Sequence, residues 1–192
     1  MAAASTRSQP ARLQLGVIAE DETDGQTLRV ILQRLRGGGT KVQTRSDQGC
    51  GAIGRKGERW VNDLVRAGCS AVIIVHDLDR HSLAELRQRL EKIQPPAGAV
   101  CYVCIPVEEL EAWFWADANV LTKIARQPTA AHPSPEKIVG PKEALMRLSR
   151  DGGKKPRYAT SDNAGLAEEL DLEACTQRCP AFAALRAFVA GL

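Results

Sequence analysis

Short continuous apolar runs alternate with segments of helical periodicity along the first two-thirds of the chain. LQLGVIA (13–19) predicts a strand, and the helix after it carries Leu28, Ile31, Leu32 and Leu35 at i, i+3, i+4 and i+7. The glycines at 37–39 stop that helix. TKVQTR (40–45) predicts a second strand, and GCGAIGRK (49–56) a Gly-rich basic loop leading into a helix through Val61, Leu64 and Val65. AVIIV (71–75) is wholly apolar and β-branched, as a strand covered on both faces requires. Ser82 opens the next helix, with Glu85 completing a capping box. Leu83, Leu86, Leu90 and Ile93 form its buried stripe, and Pro95-Pro96 ends it. AVCYVCI (99–105) predicts the fourth strand.

This β-α-β-α-β-α-β order predicts an α/β fold with a mostly parallel sheet, helices on its faces and right-handed crossovers. Ligands bind such sheets at the carboxyl ends of the strands. After Asn119 no strand is evident; helices alternate with Pro/Gly loops at 128–135 and 150–157. The expected organisation is a flexible tail at 1–12, an α/β core at 13–118 and a helical extension at 119–192 packed on it.

Composition narrows the class. A 192-residue chain with 44% hydrophobic and 26% charged residues can bury a core, which excludes disorder and a disulfide miniprotein. No segment has the ~20 apolar residues that cross a bilayer, and residues 1–12 lack the apolar core of a signal peptide. A cytoplasmic protein with no membrane partner is expected, and its six cysteines are then expected as free thiols. Cys101 and Cys104 stand three apart on a strand, so they point to opposite faces and cannot chelate together. Cys175 and Cys179 have helical spacing but no neighbouring His or Cys, and core packing is the expected role.

Laying the acids on the scaffold gives the candidate chemistry. The first strand ends in Glu20, with Asp21, Glu22 and Asp24 after it. The third ends in His76-Asp77-Leu78-Asp79, and the fourth is followed by Glu108, Glu109 and Glu111. In an extended segment Asp77 and Asp79 leave on the same side. Carboxylates gathered this closely repel one another unless they take up protons or share a cation, and hard oxygen ligands select Mg²⁺ or Mn²⁺. Single acids such as Asp24 and Glu111 also serve as helix caps, but three acidic strand ends together favour a site. Residues two apart on a helix do not share a face, so one of Glu109 and Glu111 is expected in it, and Glu111, before Trp113 and Phe114, is the choice.

VIAEDETDGQTL has Glu20 and Asp24 at the spacing of the E-G-x-T-E element, and VIIVHDLD follows about fifty residues later. Together they resemble the Toprim catalytic domain of primases, type II topoisomerases and overcoming-lysogenization-defect nucleases. IPVEELEAWFWAD (105–117), GPKEAL (140–145) and CPAFAALRAF (179–188) are similar to a narrower Toprim-like family of small bacterial proteins. Its members are often encoded beside an ATPase in anti-phage systems. The resemblance implies a Toprim (Rossmann-like) sheet and metal-dependent phosphodiester hydrolysis of DNA or RNA. It further implies Glu20 and the Asp77/Asp79 pair as ligands of Mg²⁺ or Mn²⁺, with Glu111 as a further ligand. Lys142 would then meet a phosphate or transition-state charge, and an ABC-type ATPase is the expected partner protein. Asp21 stands where the element has glycine and Asp24 where it has a second Glu, so a ligand role for Asp24 is the departure to test. Glu20 is either a ligand or the general base.

Twenty-six Lys and Arg against 23 Asp and Glu leave a net charge of only +3, but the charges are segregated. Lys142, Arg147, Arg150, Lys154, Lys155 and Arg157 cluster in 138–158, and Arg45, Arg55 and Lys56 lie near the second strand. Of these, Arg45, Arg55, Lys56, Lys154, Lys155 and Arg157 are the candidate contacts to a nucleic-acid backbone. The segment 161–174 has five acids and no base, and is expected to face away from nucleic acid or to meet a basic protein partner. His76 is expected to be a satisfied strand-end histidine. Trp115 lies off the Leu110, Trp113, Phe114 stripe and is either exposed, as a stacking platform or a protein interface, or buried against the C-terminal helices. Two other classes compete with a nuclease: a catalytically silent adaptor that binds nucleic acid or an ATPase, and a phosphohydrolase with an Asp nucleophile in the DLD segment. A homodimer is compatible with all three.

Overall fold

The structure is a computed structural model that describes residues 13–37, 39–47 and 51–192. The expected tail at 1–12, Gly38, and Gly49 and Cys50 of the expected loop lie outside the described residues. Four strands, β1 (Gln14–Ile18), β2 (Lys41–Arg45), β3 (Ala71–Val75) and β4 (Val100–Cys104), form one sheet in the order β2-β1-β3-β4. Every neighbouring pair is parallel. Helices α1 (Glu22–Arg36), α2 (Ala52–Arg66) and α3 (Leu83–Leu90) are the crossovers, as the alternating pattern predicts.

Each strand divides its side chains between two cores with period two. Leu15, Val17, Val42, Ala71, Ile73, Val75 and Cys104 face one core, with α1 and the C-terminal helices. Ile18, Val72, Ile74 and Val103 face the other, with α2 and α3. Cys104 lies in the first core and Cys101 against the second, as their spacing requires. Gly16 is where α2 comes closest to the sheet: an added Cβ would lie 2.9 Å from Leu64 Cδ1.

Beyond β4 the chain forms a 3-10 helix at Leu110–Ala116, then α4 (Ala118–Ala125), α5 (Pro141–Leu148), α6 (Asn163–Glu169), α7 (Leu172–Arg178) and α8 (Pro180–Ala190). These helices complete the α1-side core rather than building their own. Trp113 meets Phe182 edge-to-face at 5.0 Å, and Tyr102 of β4 stacks on Phe188 at 4.4 Å. Among the described residues no helix is long and apolar enough to cross a membrane.

Three local expectations change. The segment 52–56 is the first turns of α2, not a loop: Gly51 takes a left-handed turn, and Ala52 and Ile53 are buried. Gly57 lets α2 approach Ile93, since a Cβ there would sit 2.6 Å from Ile93 Cδ1. Of the glycines that suggested a loop, Gly51 supplies the left-handed turn that starts the helix, and Gly54 lies within it with open space beside it. Ser82 caps α3 by position but makes no side-chain cap hydrogen bond, so the capping box is not formed. Leu83, at the first turn, is 46% exposed, while Leu86, Leu90 and Ile93 are buried.

The hydrogen-bond ladder between β3 and β4 continues past both strands. His76 N–H donates to the Cys104 carbonyl (3.2 Å), Leu78 N–H to Pro106 (3.0 Å) and Asp79 N–H to Glu108 (3.0 Å). Asp79 and Glu108, joined by the last of these, both have positive φ, 45° and 63°. That conformation is uncommon for residues other than glycine and costs about 1 kcal/mol or more at each.

Candidate functional site

The sheet order places a topological switch point between β1 and β3, where one crossover leads away to β2 and the other to β4. Glu20 and Asp77 follow those two strands, so the fold alone brings their side chains to one crevice. Asp77 N–H donates to Glu20 Oε2 at 3.2 Å. His76 is buried, and its Nδ1 lies 2.8 Å from the Asp77 carbonyl and 3.1 Å from Glu20 Oε2. The histidine is thus satisfied, as expected, and its partner is the acid at the end of β1. Leu110 N–H, opening the 3-10 helix, donates to Asp77 Oδ1 at 3.0 Å.

Asp24 completes the group from the first turn of α1. Asp21 takes the capping role there, accepting the Asp24 N–H at 2.9 Å, which leaves the Asp24 carboxyl free to face the acids. Burial, then the charges of Asp21, Glu111 and Glu20, push the Asp24 carboxyl up to about 8. Burial also holds Asp77 well above the usual carboxylate range, reinforced by Asp24, Glu111, Glu20 and Asp79. Glu111 is 3% exposed, and burial raises it despite a hydrogen bond from Asn163. Glu20, Asp24, Asp77 and Glu111 therefore form one mutually repelling cluster, and the shorter acid at position 24 belongs to it.

Asp79 stands differently. The chain leaves the extended conformation before it, so the same-side argument for Asp77 and Asp79 does not hold. Asp79 is exposed at the rim and is the last of the charges acting on Asp77.

Glu109 and Glu111 separate as expected, because they meet different partners. Glu109 is the residue before the 3-10 helix; its Oε1 pairs with Lys142 Nζ at 2.7 Å and its Oε2 accepts the Lys142 N–H at 3.0 Å. Burial would lower the Lys142 ammonium, but the hydrogen bond and charge of Glu109 prevail and raise it. Lys142, in the first turn of α5, thus borders the acids through Glu109. Trp115 is half-buried and donates its indole N–H to the Pro141 carbonyl at 3.2 Å, tying the 3-10 helix to α5 and not forming an open platform.

The basic candidates divide. Arg45 ends β2 at the acidic end of the sheet, with its carbonyl accepting from Ala19 N–H at 3.0 Å. Arg55 and Lys56 are exposed near the start of α2; Lys56 pairs with Asp47 and lies 6.0 Å from the Trp60 ring centre. Lys154, Lys155 and Arg157 are exposed on the loop after α5, and Arg157 lines a cleft of about 510 Å³ together with Arg126 and Tyr158. Asp162, Glu168 and Glu169 also line that cleft, whereas Glu20, Asp24, Asp77 and Glu111 do not.

The residue that sequence reasoning missed is Asn163. It is fully buried, accepting from Tyr158 O–H at 2.7 Å and donating to Glu111 Oε1 at 3.0 Å. Its segment was expected to face away from nucleic acid or to meet a basic protein partner, and the acids around it are exposed. An asparagine opening a helix beside Leu166 and Ala167 was the available signal.

The donor set suits a hard divalent cation, because self-repelling buried carboxylates are relieved by positive charge. Among the described residues no three His, Cys, Asp or Glu side chains stand ready-made around one metal position. No curated protein and no solved structure matches the chain. Residues 19–190, which include every acid of the cluster, match the family described as a domain of unknown function (DUF4276), and the chain belongs to that family.

Proposed function

We propose that the protein is a Mg²⁺- or Mn²⁺-dependent nuclease that hydrolyses phosphodiester bonds in DNA or RNA, with Glu20, Asp24, Asp77 and Glu111 holding the cation and Asp79 at the rim. The observation that carries this reading is the cluster of four carboxylates at the switch point, where burial, and then the charges of their neighbours, raises Asp24 and Asp77. When bound, the metal supplies Lewis-acid activation of water and neutralises charge on the phosphate.

The chain's own groups prepare that chemistry. Glu20 is held by the Asp77 amide and His76, so it is aimed whether it acts as ligand or as general base. Asp77 is aimed by the Leu110 amide. Lys142 reaches a phosphate by exchanging its Glu109 partner for a phosphate oxygen, an anion-for-anion replacement at the start of α5. Arg45, Arg55 and Lys56 flank the acidic end of the sheet and guide the backbone of the substrate, and Lys154, Lys155 and Arg157 extend the basic surface. The sequence resemblance adds that the enzyme acts as an effector in anti-phage defence, released by an ABC-type ATPase.

A silent adaptor binding nucleic acid or that ATPase is the second reading. It is favoured by one observation, the lack of a ready-made three-ligand group among the described residues. Incubation of the full chain with DNA and RNA pools in Mg²⁺ or Mn²⁺, beside Glu20→Ala and Asp77→Ala, separates the two. Cleavage lost in both variants supports the nuclease. Cleavage indifferent to both refutes the assignment, and nucleic-acid binding without cleavage or metal uptake favours the adaptor.

A further inference from the structure

Asn163 carries a fully buried polar arrangement that ends on an acid of the cluster. Its amide is fully enclosed and lies between two groups that demand opposite ends of it. The Tyr158 hydroxyl donates to Oδ1 at 2.7 Å, and Nδ2 donates to Glu111 Oε1 at 3.0 Å. A flipped amide would set its carbonyl oxygen against a carboxylate oxygen, so the tyrosine and the glutamate together fix which end faces which. Tyr158 is itself held: its ring is buried, and its backbone N–H donates to the Oγ of the buried Ser149 at 3.1 Å.

The chain Tyr158, Asn163, Glu111 thus runs from the loop after α5, through the start of α6, to the 3-10 helix beside the acids. Glu111 is one of the charges that raise both Asp24 and Asp77, so the far end of this chain is in the cluster. A carboxylate with one oxygen pinned by a fixed amide keeps a single rotamer and offers its other oxygen in one place. That is the arrangement by which a partner one step removed sharpens a metal ligand.

We propose that Asn163 is a positioning residue for Glu111, and that Tyr158 sets the orientation of the Asn163 amide. The proposal rests on the cluster being a cation site, and Mn²⁺ alone is the probe that tests both. Full-length wild type and variants are titrated with Mn²⁺ and free ion is counted by electron paramagnetic resonance, with melting curves alongside. Asn163→Ala is expected to weaken Mn²⁺ about 10-fold, the lower end of what such partners contribute. Tyr158→Phe is expected to weaken it less, because the amide stays present but free to flip. In a Glu111→Gln background, Asn163→Ala is expected to add nothing, because the group it positions is already altered.

Three results overturn the proposal in distinguishable ways. If Asp77→Ala loses Mn²⁺ while Asn163→Ala and Tyr158→Phe match wild type, the positioning role fails and the cation site stands. If Asn163→Ala weakens Mn²⁺ equally with and without Glu111→Gln, its effect is general to the fold and the positioning role fails. If wild type takes up no Mn²⁺, the cation site fails and the positioning role with it. Should Asn163→Ala not fold, Tyr158→Phe decides: a folded variant with wild-type affinity overturns the proposal.

Discussion

Replacing Asp24 with Asn removes one charge from a group that the fold holds against its preference, and the effect on stability has a definite pH signature. The carboxyl is raised from 3.8 to about 8, first by burial and then by Asp21, Glu111 and Glu20. Between about pH 4 and pH 8 the folded chain keeps a proton that the unfolded chain has released, so stability falls as pH rises through that window. At ~1.4 kcal/mol per tenfold change in proton affinity the ceiling is about 6 kcal/mol, and side-chain relaxation and water at the crevice mouth leave about 2–3 kcal/mol. A chain of this length moves ~2–4 °C per kcal/mol, so Asp24→Asn is expected to melt roughly 5–10 °C above wild type at pH 8 in a chelator. Below pH 4 the two should melt together. Millimolar Mg²⁺ at pH 8 should raise the wild type and close much of the gap, since a cation does what the proton did. Melting curves from pH 4 to 9, with and without Mg²⁺, check all three points. A gap that does not vary with pH, or a wild type that is the more stable at pH 8, refutes the burial-and-repulsion account.

Gly16→Ala is expected to cost about 1–3 kcal/mol in urea unfolding, because the new methyl meets Leu64 Cδ1 at 2.9 Å in a filled layer. Asp117→Ala is expected to cost about 1–2 kcal/mol by the same measure, since that carboxylate caps α4 at Asn119 and Val120 and also accepts the Asp171 N–H at 2.8 Å. Lys142→Met should destabilise by about 1–3 kcal/mol by stranding the largely buried Glu109, and adding Glu109→Gln should recover part of it. Charge reversal at Lys154 and Lys155 should weaken duplex DNA and lower the slope of log affinity on log salt by about one per lost phosphate contact, measured by fluorescence anisotropy.

The sheet was legible in the sequence because its strands are the least ambiguous kind: AVIIV has no polar position to misassign, and the helices between the runs carry full apolar stripes. The crevice followed, since a parallel sheet sends every strand's carboxyl end to one side and three of those ends are acidic. What the sequence could not show depends on contacts between distant segments. Glycines at 51 and 54 suggest a loop, but α2 begins at Ala52, where Ala52 and Ile53 are buried. Asp77 and Asp79 suggest a matched pair until the bond from Asp79 to Glu108 turns the chain. Asn163 sits among exposed acids, and only the return of α6 across the 3-10 helix gives it Glu111 as a partner.

The loops bearing Asp77 and Glu109 are stitched by three hydrogen bonds, from His76, Leu78 and Asp79, that carry the ladder past β3, ending at two residues in a conformation that side chains resist. Loops free to move would answer crowded negative charge by drawing apart. These can do so only by breaking the rungs, and Glu20 is tethered to the same spot by the Asp77 amide. Backbone retreat of these two loops is thus opposed, and proton uptake, side-chain relaxation or a cation is left to relieve the crowding.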